Sequence, residues 1–213
     1  MLKYPTTLFA VLVLLGLPRI GLAGAYEDIL IAARENRSDV IVDLVQRGMD
    51  PNTSDPAGST LLMYAAANGN EQVLDFLLTN HANILKQNKY GDTAIGIAAL
   101  NGRLSIVRQL IDAGARADGP GWGAIHYAAF NGHGEIVRFL LTKGTNPDAP
   151  APNRQTPLML AAHNGFPDVV KILLDAGADR NHSDGEGNTA IGIALRAGNN
   201  DIAGDIRTAG AAR

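Results

Sequence analysis

The sequence predicts an all-α solenoid of six units with two short helices each, and three observations predict it. The first is a register: Asn36, Gly69, Gly102, Gly132, Gly165 and Gly198 follow one another at steps of 33, 33, 30, 33 and 33 residues. The second is an independent series, Gly48, His81, Gly114, Gly144, Gly177 and Gly210, with identical steps, the short one included. The third is a pair of apolar blocks that recurs in each unit at helical spacing.

The first block reads Thr60 to Ala66 (TLLMYAA), Thr93 to Ala99 (TAIGIAA), Gly123 to Ala129 (GAIHYAA), Thr156 to Ala162 (TPLMLAA) and Thr189 to Leu195 (TAIGIAL). Paired alanines make a thin helix that neighbours approach closely. The leading Thr is a natural N-cap, and Pro157 stands at the first helical position, where its missing N–H costs nothing. The second block, such as Glu135 to Leu141, is an amphipathic helix that stops at a glycine suited to the left-handed C-cap.

These residues closely resemble the ankyrin family, most plainly Asn131 to Leu141 (NGHGEIVRFLL) and Thr156 to Asp179 (TPLMLAAHNGFPDVVKILLDAGAD). The resemblance covers residues 26–213, in units of about 26–54, 55–87, 88–117, 118–150, 151–183 and 184–213. It implies an ankyrin repeat solenoid of six helix–turn–helix units with short hairpin fingers, which binds another protein, usually on its concave side. Fold alone names no partner.

Both ends are expected to be caps, because a terminal unit must hide its core from water. Glu27-Asp28 takes the Thr-Pro position of the first unit, and Arg34, Glu35 and Arg37 keep its exterior polar. In the last unit Ala203, Asp205 and Arg207 replace Val170, Ile172 and Leu174 of the unit before. The array is therefore expected to end there. Counting back from Asn36 places the start of the first finger near Leu22.

Residues 1–25 have the anatomy of a secretory signal peptide: Lys3, an apolar run from Leu8 to Leu17, Pro18, then Ala23-Gly24-Ala25 as a cleavage site. Ten apolar residues fall short of the roughly 20 that span a bilayer. Cleavage after Ala25 leaves 16 basic against 21 acidic residues, so neither nucleic acid nor anionic lipid is the expected partner. A periplasmic or secreted, bacterial-type protein is expected, monomeric and without stable membrane insertion.

The chemistry of catalysis is mostly missing from the residues. There is no cysteine, which excludes disulfides, thiolate nucleophiles and thiolate zinc sites. No HExxH, phosphate loop or GxSxG motif occurs. His163 and His182 lie 19 apart with no carboxylates suggestive of a metal site. His126 stands in the fourth position of the TPLH-like block, where the resemblance implies a structural histidine bonded to a neighbouring repeat. His133 falls at the family's Gly-His turn, and His81 replaces a helix-ending glycine. No enzyme, cofactor or metal is expected.

The finger tips and helix ends of the concave side nominate binding residues: Lys89, Tyr90, Leu100, Trp122, Phe130, Arg154, His163 and Glu186. Aromatics and Arg are the usual interface anchors, and Tyr90, Leu100, Trp122 and Phe130 gather in units three and four. Arg116 to Gly121 is a finger three residues shorter than its neighbours. Trp122 is either an anchor or a cover over that short finger. The expected role is a scaffold, an inhibitor or an immunity-like factor. A secreted effector acting in a host cell, or an enzyme with a minimal site on the groove, are the alternatives.

Overall fold

In the computed structural model, residues 22–119 and 121–209 are described. The apolar run Leu8–Leu17, Pro120 and Gly210 lie outside them. Twelve helices are found among the described residues, two per unit: α1 (Leu22–Arg34), α2 (Ser38–Gln46), α3 (Leu61–Asn68), α4 (Glu71–Thr79), α5 (Ala94–Leu100) and α6 (Leu104–Asp112), followed by α7 (Ala124–Phe130), α8 (Gly134–Thr142), α9 (Pro157–Asn164), α10 (Pro167–Asp175), α11 (Ala190–Arg196) and α12 (Asn200–Thr208). The odd-numbered helices pack on one another in one layer and the even-numbered ones in a second. One continuous apolar core runs from Ala25 to Ile206 between them.

Most helices begin where the sequence says. Thr60, Thr93, Thr156 and Thr189 cap α3, α5, α9 and α11 by accepting the backbone N–H three residues on, which satisfies a donor the helix cannot. The helices stop at left-handed residues. Asn36 and His81 adopt φ 58° and 63° where other units place glycine, so His81 is the expected cap variant.

A second series of caps joins the units. Residues 70, 103, 133, 166 and 199 precede the second helix of units two to six and reach back to the unit before. The Asn70 amide donates to Asn36 Oδ1 and Ser38 Oγ, both at 2.7 Å. Arg103 Nε donates to the Ala67 carbonyl. His133 Nε2 donates to the Leu100 carbonyl at 2.9 Å. The Asn199 amide donates to the carbonyls of Ala162 and His163. Phe166 has no polar group to offer and lies flat on Gly132 instead. A Cβ there would meet its ring at 2.6 Å.

The first unit differs from expectation. The chain is already helical at Leu22 (α1, Leu22–Arg34), where the register places the start of a finger, and Glu27-Asp28 lies within the helix. Leu, Ala and Tyr with no Pro or N-cap residue give the helix no reason to stop at residue 27. Ala25, the last residue before the expected cleavage point, is buried in the core.

The fingers are joined in pairs. The second and third are bonded by Lys89 N–H to the Ala57 carbonyl at 2.8 Å and Asn83 N–H to Asn52 Oδ1 at 2.6 Å. The fifth and sixth repeat both links, through Gly185 N–H to the Asn153 carbonyl at 3.0 Å and Asp179 N–H to Asp148 Oδ1 at 2.8 Å. The short fourth finger has neither link among the described residues. Recesses of about 670 and 340 Å³ flank it.

Candidate functional site

Beside the short finger, Trp122 is half-buried. It lies in an aromatic cluster, with ring centroids 5.3 Å from Tyr127, 5.4 Å from Phe130 in an edge-on arrangement, and 6.2 Å from His126. Edge and offset geometries of this kind suit the ring quadrupoles. Beside the short finger the indole packs against side chains of α7.

The cluster rests on a polar base. His126 is 2% exposed, with Nδ1 accepting the Gly123 N–H at 3.1 Å and Nε2 donating to the Ala149 carbonyl at 2.8 Å. That pattern requires the neutral ring, and burial lowers its pKa despite both backbone bonds. His126 therefore caps α7, where Gly123 has no side chain to do so, and ties unit four to the fifth finger. This is the structural role the sequence implied. Tyr127 donates its hydroxyl to Asp92 of the third finger. Burial, then the Asp92 carboxylate, pushes its pKa well above the ordinary tyrosine value.

Trp122 and Phe130 form one wall of a groove of about 470 Å³ between fingers and first helices of units four to six. Met159, Leu160 and Ile193 make its floor, and Asn153, Gln155, His163, Glu186, Asn188 and Arg196 its polar rim. Asp184, buried beneath the sixth finger, holds that rim in shape. Its carboxylate accepts the backbone N–H groups of Glu186 and Asn188 and the Asn188 amide at 2.8–3.0 Å. Burial pushes this carboxyl up, but the Asn188 and Glu186 donors outweigh it and leave the pKa below the ordinary value.

Four of the eight nominated residues, Trp122, Phe130, His163 and Glu186, thus line one groove. Arg154 stands between two of its lining residues. Lys89 and Tyr90 sit on the tip of the third finger, where Tyr90 is 79% exposed. Leu100 is half-buried, and its carbonyl is used by Asn131 and His133. Arg196 lines the groove without being among the eight, although it ends α11 as Phe130 ends α7. Tyr127 is also absent from them, yet Tyr64 one pair of units earlier gives the same signal. Its hydroxyl likewise donates to a finger carboxylate, Asp55 Oδ2 at 2.8 Å.

Among the described residues no cluster of three or more His, Asp or Glu could hold a metal ion. No described helix is long and apolar enough to cross a membrane.

Comparison with known proteins agrees with the geometry. The family model described as "Ankyrin repeats (3 copies)" matches residues 29–120, 80–151 and 125–205. The chain belongs to the ankyrin-repeat family. It is 38% identical to human Rabankyrin-5 over 73 residues, 34% of this chain and 6% of that protein. It is 33% identical to human Ankyrin repeat domain-containing protein 63 over 91 residues, 41% of this chain and 24% of that protein. A third relative is the rice protein named Probable E3 ubiquitin-protein ligase XBOS33, 32% identical over 81 residues, 38% of this chain and 16% of that protein. The ankyrin chain thus spans about a quarter or less of these relatives. Ankyrin repeats are in general protein-binding modules, and that much carries over.

Proposed function

We propose that this ankyrin chain is exported through residues 1–25 to the periplasm. There it binds a partner protein in the groove of units four to six, as a scaffold, an inhibitor or an immunity-like factor. The observation that carries the binding reading is the Trp122–Phe130 wall over an apolar floor, rimmed by polar side chains. An open groove with an aromatic anchor and few, convergent polar groups is the usual form of a recognition site. The export reading rests on Lys3, the Leu8–Leu17 run and Ala23-Gly24-Ala25.

Affinity capture from the periplasm tests both parts, with residues 26–213 as bait and Trp122→Ala as its control. The proposal expects a protein retained by the first and lost from the second. It also expects Tyr26 as the N-terminus of the native soluble chain. Soluble protein that begins at Met1 or Leu2 would end the export reading, and equal capture by both baits would end the groove reading.

A further inference from the structure

Resting on that groove reading, we infer that the partner segment is acidic, presenting carboxylates on either side of an apolar side chain. Unused valence on the binding face is the first support. Among the described residues most cationic side chains have a partner. Arg37, Arg47, Arg116, Arg138, Lys143 and Lys171 are ion-paired. Arg34 and Arg103 bond neighbouring units, Lys86 and Arg180 reach backbone carbonyls, and Arg108 lies 4.4 Å over the Phe139 ring. Lys89, Arg154, Arg196 and Arg207 have no ion pair or side-chain hydrogen bond with a described residue. Three of these four, Lys89, Arg154 and Arg196, stand on the finger–helix face, and Arg196 lines the groove itself.

The carboxylates of the same face are in the opposite condition. Asp92 accepts from Tyr127 and from the Asn88 amide at 2.9 Å. Asp184 is filled by Asn188 and two backbone N–H groups. Glu186, exposed on the rim, accepts the Asn188 amide at 3.3 Å. The carboxylates of this face thus accept hydrogen bonds, while the side chains of Lys89, Arg154 and Arg196 donate none to described residues, even though the chain as a whole is acidic. Arg196 acts only through its charge on Asp184. Charges farther apart than about 8 Å are screened at physiological salt, so the local balance governs what docks.

Backbone conformation at the fifth finger gives a second, independent observation. Gly58, Gly91 and Gly187 occupy the left-handed tip position of the second, third and sixth fingers, with φ of 81–84°. The fifth finger places Arg154 there, at φ 62°. A side chain in this region is strained, and such strain concentrates at functional sites. A glycine would fit the turn better, and what the arginine adds is a guanidinium held out at the rim. Guanidinium forks match carboxylates in bidentate geometry.

A random peptide library displayed on phage and panned against the purified chain at roughly 0.15 M salt tests this even while the partner is unidentified. The enriched peptides should carry Asp or Glu within a few positions of an aromatic or branched apolar residue. Synthetic copies lacking Trp should shift the emission of Trp122, the sole tryptophan, in a saturable way. The pair Arg154→Gln and Arg196→Gln, both retaining side chains of similar reach, should raise their Kd about tenfold or more. Glu186→Gln should lower it. Enriched peptides with basic or uncharged flanks that still perturb Trp122 would overturn the acidic-partner inference and leave the groove reading standing. No enrichment, or binders that leave Trp122 emission unchanged, would overturn both.

Discussion

The fourth finger and the finger pairs on either side of it solve one problem in two ways. Fingers two and three, and again five and six, are held by a bond at the tip and another at the stem. The fourth finger is three residues short and has neither among the described residues, yet the core of its helices α7 and α8 is as fully buried as that of the units beside it. His126 replaces the lost links from below by bonding the Ala149 carbonyl of the fifth finger, and Trp122 fills part of the vacated space from above. Helices and fingers are therefore two layers joined through a few side chains, His126, Tyr127, Tyr64 and Trp122 among them. Helical packing carries stability and is repeated in each unit, while the fingers are free to change length and to shape a groove.

The heaviest loss should come from asking whether unit four is an ordinary unit in its helical layer. Leu140 is fully buried, and Leu140→Ala should destabilise by about 2–5 kcal/mol in denaturant melts. Its counterparts Leu110 and Leu173, equally buried, should give losses of the same size. A much smaller loss at Leu140 would mean that the short finger loosens the helices after all.

Next comes the histidine that stands in for the missing links. Its folded-state pKa lies below the ordinary value of about 6.5. The unfolded chain therefore takes up the proton first as pH falls, and the contribution of His126 is present above pH ~6.5 and lost on going below it. Thermal melts should show Tm falling from pH 7 toward pH 5, with His126→Gln less stable at pH 7 but flat over the same range. The carboxyls of Asp55 and Asp184 are held down instead. At Asp55 burial, which raises the pKa, is outweighed by Ser59 and Tyr64 donors. The contributions of both are present above their unfolded values near 3.9 and lost only as pH falls through the lower folded ones.

Trp122→Ala should act on both layers. Partner affinity should fall by about 2 kcal/mol or more, read by titration calorimetry. Stability should fall by about 1–2 kcal/mol, less than the 3–5 typical of fully buried aromatics, since the indole is only half-buried. Restoring three residues between Arg116 and Ala117 probes the same division. Lengthening a surface loop costs under about 1 kcal/mol, so Tm should hardly move while partner affinity drops.

The mildest change is a gain. Arg154→Gly should relieve the left-handed backbone at φ 62° and stabilise by about 1 kcal/mol, as a small rise in Tm. A fall in Tm would show that Arg154 makes a stabilising contact within its own finger.

What could be read from the sequence follows the same division between layers. Helix starts, stops and burial were legible because each depends on residues within a turn or two: a Thr cap, an alanine pair, a glycine at the end. His126 was legible as structural because its place in the repeat fixes its partners. The links between fingers were not, because Asn83 and Asn52, or Gly185 and Asn153, lie some 31–32 positions apart and no local pattern marks them. The helical state of residues 22–26 was not legible because they carry no stop signal, and the repeat register alone pointed to a finger. Within the groove, aromatics at a finger tip and a helix end were readable from their register. The packing of Trp122 against Tyr127 and His126 was not, because it depends on how the short finger is placed over α7.

Everything said of binding depends on a partner covering the Trp122–Phe130 groove, and the sole tryptophan of the chain offers a direct report on it. With 5-fluorotryptophan incorporated, the protein should give a single fluorine NMR resonance. Saturation with the captured partner should shift or broaden that resonance, and the change should persist in Lys171→Gln, a substitution on the opposite, outer helix layer. A resonance that stays unmoved at full occupancy would place the partner elsewhere on the solenoid and refute the groove as its seat.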